Sequence, residues 1–205
     1  MDRELLDIAR AAKGFMDEQE GLRLYELARD HAHLGPVVEI GSYCGKSSVY
    51  IGAGVKEAGG TLVCVDHHRG SEENQPGWEF HDAELWDDEA DAMDTLPFLR
   101  TTLRRAGLED TAVVMVTRSP RAASLWAVPA AMVFIDGGHT LEHASADLES
   151  WSPKVMAGGI LAIHDLFPNP DEGGQAPIEI YRRALASGEY DELPGVKTLG
   201  VLRRR

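Results

Sequence analysis

Val37-Val38-Glu39-Ile40-Gly41-Ser42-Tyr43-Cys44-Gly45-Lys46-Ser47-Ser48 reads as an apolar strand that runs into a glycine-punctuated turn and then a helix start. Gly41 and Gly45 let the backbone come close to a bound molecule, and the N–H groups of a helix start are free donors, so the stretch points to a nucleotide-like ligand. Spacing narrows the class. A phosphate-binding loop of the form G-x-x-x-x-G-K-S is one residue longer than this turn, where only Ser42, Tyr43 and Cys44 separate the two glycines. The dinucleotide pattern G-x-G-x-x-G fails as well, because Tyr43 stands where the second glycine is needed and its side chain would crowd a pyrophosphate. What remains is E-x-G-x-x-x-G.

The next apolar run, Thr61–Val65, is closed by Asp66. An acid at the carboxyl end of a second strand, about twenty residues beyond a glycine turn, can accept hydrogen bonds from both hydroxyls of a ribose. With Asp66 in register, the pattern resembles the first two motifs of class I S-adenosylmethionine-dependent methyltransferases. The resemblance implies Asp66 on the ribose and Glu39, Gly41, Ser42, Tyr43, Gly45 and Ser47 around the methionine end of S-adenosyl-L-methionine. It also implies Ser119, after the third strand, at the adenine. His67, directly after Asp66, could reach the cofactor edge or a metal, or be an ordinary loop residue. The alternative for the two glycines is a tight strand-to-helix turn and nothing more.

Outward from this stretch, apolar positions at helical spacing predict two leading helices, Arg3–Lys13 and Asp17–His31, the second opened by the capping pair Asp17 and Glu20. Strand-like runs at Val37–Ile40, Thr61–Val65, Ala112–Val116, Ala131–Ile135 and Gly159–His164 then alternate with helical segments. The helices are Ser47–Ala58, Thr95–Ala106, Arg121–Trp126, Thr140–Lys154 and Pro177–Ser187. Strands apolar on both faces, alternating with helices, predict an α/β domain with a mostly parallel, doubly wound sheet of Rossmann-like type. Lys197–Leu202 is expected to add a last strand, antiparallel. The whole chain, 1–205, reads as one domain: helices over 1–34, a cofactor-binding core over 35–166, and a C-terminal helix and strand over 167–205. The acid-rich stretch 67–94, carrying Trp78, Phe80 and Trp86, is too long for an ordinary connection; it is either a lid over the site or a surface excursion packing its own aromatics.

A net charge of −14 sets the chain against nucleic acid and anionic membranes and favours a small-molecule acceptor as partner. Arg100, Arg104 and Arg105 read as a solvated helix face, Arg203–Arg205 as a terminal tail, and Lys46 and His143 as solvated. Apolar runs are strand-length and Met1-Asp2-Arg3-Glu4 lacks a signal-peptide profile, so a cytoplasmic location is the expectation, with Cys44 and Cys64 as reduced thiols. The two N-terminal helices could pack on a second copy to form a homo-oligomer, or cover the acceptor site.

The second informative constellation is Ile135-Asp136-Gly137-Gly138-His139 with Ile163-His164-Asp165. Neighbouring parallel strands end at the same edge, so Asp136, His139, His164 and Asp165 should gather at one crevice with the Gly41 turn and Asp66. I-D-G-G-H-x-x-E-x-x-x-x-D over Ile135–Asp147 and W-x-P-x-x-x-x-G-G-x-x-x-x-H-D over Trp151–Asp165 resemble methyltransferase family 24, which is related to macrocin-type and cephalosporin-pathway O-methyltransferases. The resemblance implies a divalent metal, usually magnesium, at Asp136 and Asp165, with His139 as the base. His164 stands where the related enzymes carry a carboxylate, a departure that tilts a metal site from Mg²⁺ toward Mn²⁺, Fe²⁺ or Zn²⁺. Independently of family, His139 has the right titration range to take a hydroxyl proton. It could also be a helix N-cap, and His164 an outer hydrogen-bonding partner. The expectation is O-methylation of a small hydroxylated metabolite, with Asp136 taking part in both cofactor binding and catalysis. N-methylation, a metal-dependent hydrolase and a non-catalytic cofactor-binding protein are the alternatives.

Overall fold

The structure, a computed structural model, describes residues 1–78, 80–138 and 140–205; His139, the expected base, lies outside the described residues. Helices α1 (Arg3–Ala11) and α2 (Glu18–His31) lead. Asp2 accepts from the Leu5 N–H at 2.9 Å, and Asp17 with Glu20 forms the expected capping box. There follow β1 (Val37–Ile40), α3 (Lys46–Glu57), β2 (Leu62–Asp66), a short hairpin of β3 (Trp86–Asp87) and β4 (Ala92–Met93), and α4 (Leu96–Arg105). The second half comprises β5 (Ala112–Val116), α5 (Ser119–Leu125), β6 (Ala130–Ile135), α6 (Leu141–Trp151), β7 (Val155–Ile163), α7 (Ala176–Ala186), β8 (Tyr190–Val196) and β9 (Leu199–Arg204).

The main sheet has the order β5-β2-β1-β6-β7-β9-β8, parallel from β5 through β7 and antiparallel in the last two strands. Alternate side chains leave its two faces. Val37, Leu62, Cys64, Met132, Phe134 and Ile160 pack under α1–α4, whereas Val38, Ile40, Val63, Val133, Ile135 and Leu161 pack under α5–α7. Both faces are therefore buried over β1, β2, β6 and the end of β7, which is why these strands read as continuous apolar runs, whereas the edge strand β5 leaves Val113 and Val116 exposed.

Strand order reverses between β1 and β6, and the crevice beyond their carboxyl ends is where open α/β sheets bind ligands. Register fixes who faces it. Ile40 pairs with Val65 and with Ile135, and Ile135 with Ile163, so the next residues along, Gly41, Asp66, Asp136 and His164, end level at one edge.

Three expectations need correction. The antiparallel last strand is present as β9, but it starts at Leu199 rather than Lys197 and is half of a hairpin: Lys197, at φ +50°, and Thr198 form the turn, and Tyr190–Val196 supplies an edge strand that tolerates Pro194 and Gly195 because only one side of it is paired. Arg203–Arg205 are not a free tail, since Arg203 and Arg204 belong to β9 and Arg204 Nη1 donates to the carbonyls of Ser152, Pro153 and Val155. Lys46 is not simply solvated; its Nζ donates to the Ala9 and Arg10 carbonyls at the end of α1, at 3.0 and 3.2 Å. Among the described residues no helix is long and apolar enough to cross a membrane.

Gly41 carries a φ of +87°, and a Cβ there would run into the Asp136 backbone carbonyl. Gly59, at φ +68°, has no atom within 4 Å of such a Cβ. Urea unfolding should therefore show Gly41→Ala destabilised by about 3 kcal/mol, from left-handed strain plus overpacking, and Gly59→Ala by only about 1 kcal/mol from strain alone.

Candidate functional site

The Gly41–Gly45 turn is held from below by two acids. Glu39, fully buried, accepts from Ser48 Oγ at 2.5 Å through Oε2, while its Oε1 has no partner among the described residues. Asp66 bridges the turn and the loop after β2: Oδ2 accepts from the Tyr43 N–H at 2.9 Å and Oδ1 from the His68 N–H at 2.7 Å. A carboxylate has about four acceptor positions, so with one bond to each oxygen Asp66 keeps acceptor capacity on both among the described residues. The Ser42 hydroxyl is buried without a partner among the described residues, and Ser47 is buried beside it at the start of α3. Tyr43, His68 and Asp165, at φ +46°, +59° and +59°, hold left-handed backbone around this edge, a costly conformation for residues with a Cβ.

The loop after β2 leans on the turn's outer flank. Leu85 and Met93 are buried against Cys44, and Lys13 ion-pairs with Asp82 and Glu84 at 2.5 and 2.6 Å. The Phe15 ring meets those of Phe80 and Tyr43 at 5.3 and 6.2 Å between centroids. Stretch 67–94 thus both packs its own side chains, as His81 on Trp86 shows, and covers the turn. His68 Nδ1 lies 2.7 Å from Thr95 Oγ1, and its buried Nε2 lacks a partner among the described residues. Burial lowers the pKa of both His67 and His68, against Asp66.

At the ends of β6 and β7 the structure brings Asp136, His164 and Asp165 together. His164 Nδ1 is 3.1 Å from Asp136 Oδ1 and 3.4 Å from Asp165 Oδ1. Its Nε2 is 3.0 Å from Oε2 of Glu20, which reaches in from α2. Burial alone would strip a proton from this ring, but Asp136, Glu20 and Asp165 outweigh it and raise the pKa well above the usual imidazole value. Glu20 is the counterpart: burial would raise its pKa, yet His164 and Thr198 hold it to about 2. The site contains either an imidazolium between carboxylates or, in place of the proton on Nδ1, another cation.

A family model described as a methyltransferase domain, methyltransferase family 24, matches residues 38–166, the segment that carries every element of this edge except Glu20 and Thr198. The chain belongs to this family of class I S-adenosylmethionine-dependent methyltransferases. The methyltransferase PaMTH1 of Podospora anserina, bound to S-adenosylhomocysteine, superposes with a TM-score of 0.68 at 14% identity over 100% of this chain and 89% of that one. The O-methyltransferase of Bacillus cereus, also with S-adenosylhomocysteine, gives 0.64 at 16% over 99% and 90%. TomG, an O-methyltransferase of Streptomyces achromogenes with S-adenosylmethionine, gives 0.62 at 17% over 100% and 90%. At such identities the likeness is one of fold.

In this methyltransferase the three candidate ligand atoms of Asp136, His164 and Asp165 lie within 4.8 Å of one another. Neighbouring ligands around a six-coordinate ion with bonds of about 2.1 Å stand ~3 Å apart, close to the two His164 distances, so the donor set fits a divalent metal. Ser119 is placed differently from expectation: its hydroxyl accepts from Trp151 Nε1 at 2.8 Å and neighbours buried Asp147, so it is turned to packing. His143 is exposed, as expected. Glu20 is the residue that sequence reasoning missed. It was legible as an acid at i−4 to Leu24 and i−7 to Leu27, on the apolar face of its helix.

Burial pushes the Glu39 carboxyl up to about 7 from an ordinary 4.5, against the neighbouring Ser47, Ser48 and Cys64. The folded chain thus keeps a proton that the unfolded chain loses, so this group's stabilising contribution is full below the unfolded value and is lost as pH rises through the folded one. Measured by denaturant unfolding, wild type relative to Glu39→Gln should lose about 3 kcal/mol between pH 4 and pH 8.

Proposed function

We propose that this methyltransferase moves a methyl group to a hydroxyl oxygen of a small metabolite, with His139 as base and a divalent metal, Mg²⁺ or Mn²⁺, at Asp136, His164 and Asp165. The observation that carries the reading is that Asp136 and His164 end level with Gly41 and Asp66 at one sheet edge, with Asp165 the next residue along and its carboxylate within 4.8 Å of theirs. O-Methyltransferases with S-adenosylhomocysteine or S-adenosylmethionine bound are among the chains that share the fold, which supports both the cofactor and the oxygen acceptor.

S-Adenosylmethionine, when bound, would supply a sulfonium methyl: in-line attack of the acceptor oxygen on the methyl carbon forms the O–C bond as the S–C bond breaks, and S-adenosylhomocysteine leaves. The chain's part is to bind, orient and take a proton. Asp66 accepts the ribose hydroxyls on its two unfilled acceptor positions. The Glu39–Gly45 turn takes the methionine end, with the unpartnered Ser42 hydroxyl and Glu39 Oε1 as its available side-chain atoms and Ser47 beside them. His67 lies along the cofactor edge, and Ser119 approaches the adenine through its backbone, its hydroxyl being engaged elsewhere. Asp136, His164 and Asp165 would hold a divalent ion, which would lower the acceptor's pKa and orient its oxygens. His139 takes the hydroxyl proton.

Isothermal titration with S-adenosylhomocysteine should show Asp66→Asn weakened at least tenfold, the effect of losing charged hydrogen bonds worth about 1.5–3 kcal/mol. In methyl-transfer assays on a panel of catechols and vicinal diols, His139→Ala should lose about 10²–10⁴ in kcat while its S-adenosylhomocysteine affinity stays at wild type. Full turnover by His139→Ala would remove the base assignment. Unimpaired binding by Asp66→Asn would remove the ribose contact.

A further inference from the structure

We infer that Glu20, on α2 and outside the matched residues 38–166, is a positioning residue of the metal site: it fixes His164 so that Nδ1 faces Asp136 and Asp165. The role rests on the metal reading of the preceding section.

Glu20 is 3% exposed and both of its oxygens are committed. Oε1 accepts from the Thr198 N–H at 2.8 Å and from the Thr198 hydroxyl at 2.7 Å, in the β8–β9 turn. Oε2 faces His164 Nε2 at 3.0 Å. The carboxylate is therefore anchored from the C-terminal hairpin before it touches the ring. A carboxylate only accepts, and a metal-bound imidazole keeps one N–H, so Glu20 selects Nε2 for that proton and leaves the Nδ1 lone pair for the ion. The Phe134 ring, edge-on at 6.3 Å between centroids, borders the imidazole. Thr198 is turned to Glu20, so the second element reaching this site also lies beyond the matched segment. Gln at position 20 would keep the shape but present one acceptor oxygen where donors face both, the Thr198 N–H and hydroxyl on Oε1 and the Asp17 N–H and the His164 ring on Oε2.

The test is Mn²⁺ titration of the full-length protein, with free Mn²⁺ followed by electron paramagnetic resonance, beside S-adenosylhomocysteine titration. Glu20→Gln should raise the Mn²⁺ Kd by about 10- to 100-fold, with S-adenosylhomocysteine affinity within about twofold of wild type. In a His164→Ala background the same change should add nothing. Thr198→Val, which disturbs the helix–hairpin link but leaves the ring's partner, should bind Mn²⁺ within about twofold of wild type. In Zn²⁺-loaded wild-type protein, ¹⁵N shifts should place the His164 proton on Nε2 and the metal on Nδ1, a readout that needs no variant to fold. Metal on Nε2, or equal Mn²⁺ affinity in wild type and Glu20→Gln, would overturn the Glu20 role alone. Wild type that binds S-adenosylhomocysteine but neither ion would overturn the metal reading and this role with it.

Discussion

One buried imidazole, held between carboxylates from opposite ends of the chain, ties the site to the fold. His164 ends β7 inside the sheet edge, Asp136 ends β6 beside it, and Glu20 arrives from a helix more than a hundred residues earlier in the chain. Burying such groups is costly unless each is paired, and removing one partner from a buried pair typically costs about 3–5 kcal/mol. Helix α2, the parallel sheet and the C-terminal hairpin therefore meet at one point, where three carboxylates share a single imidazole. Lys197, ion-paired with Asp17 next to that point, reinforces the same junction from the surface.

Around it, the sheet supplies geometry that no single motif could. The pairing of Ile40 with Val65 and Ile135, and of Ile135 with Ile163, brings a glycine turn, Asp66, Asp136 and His164 to one level. The backbone is crowded there, since Gly41 rides directly over the Asp136 carbonyl. Left-handed Tyr43, His68 and Asp165 carry the chain away from the strands at the points where turns must be tight. The Ser42 hydroxyl and Glu39 Oε1, which have no partner among the described residues, belong to this turn and the strand that leads into it.

Much of this was legible in sequence because strands buried on both faces cannot hide: their apolar runs end abruptly at Gly41, Asp66, Asp136 and His164, and those endings line the crevice where the strand order reverses. The parallel order followed from the alternation with helices. Three features were not legible. β8 carries Asp191, Glu192 and Pro194, which an edge strand accepts but a central one would not, so its composition reads as loop. Stretch 67–94 has no period because its fold comes from tertiary contacts: Leu85 and Met93 against Cys44, and Lys13 with Asp82. Glu20 satisfied a capping box completely, and that local explanation concealed a partner 144 residues away.

The most direct test of the central claim is a crystal structure of the protein grown with S-adenosylhomocysteine and Mn²⁺. The account predicts the ribose hydroxyls on Asp66, the amino-acid end over the Gly41–Gly45 turn, and one ion ligated by Asp136, His164 Nδ1 and Asp165, with Glu20 still on His164 Nε2. S-Adenosylhomocysteine seated away from Asp66, or an ion bound elsewhere while His164 remains between Glu20 and Asp136, would contradict it.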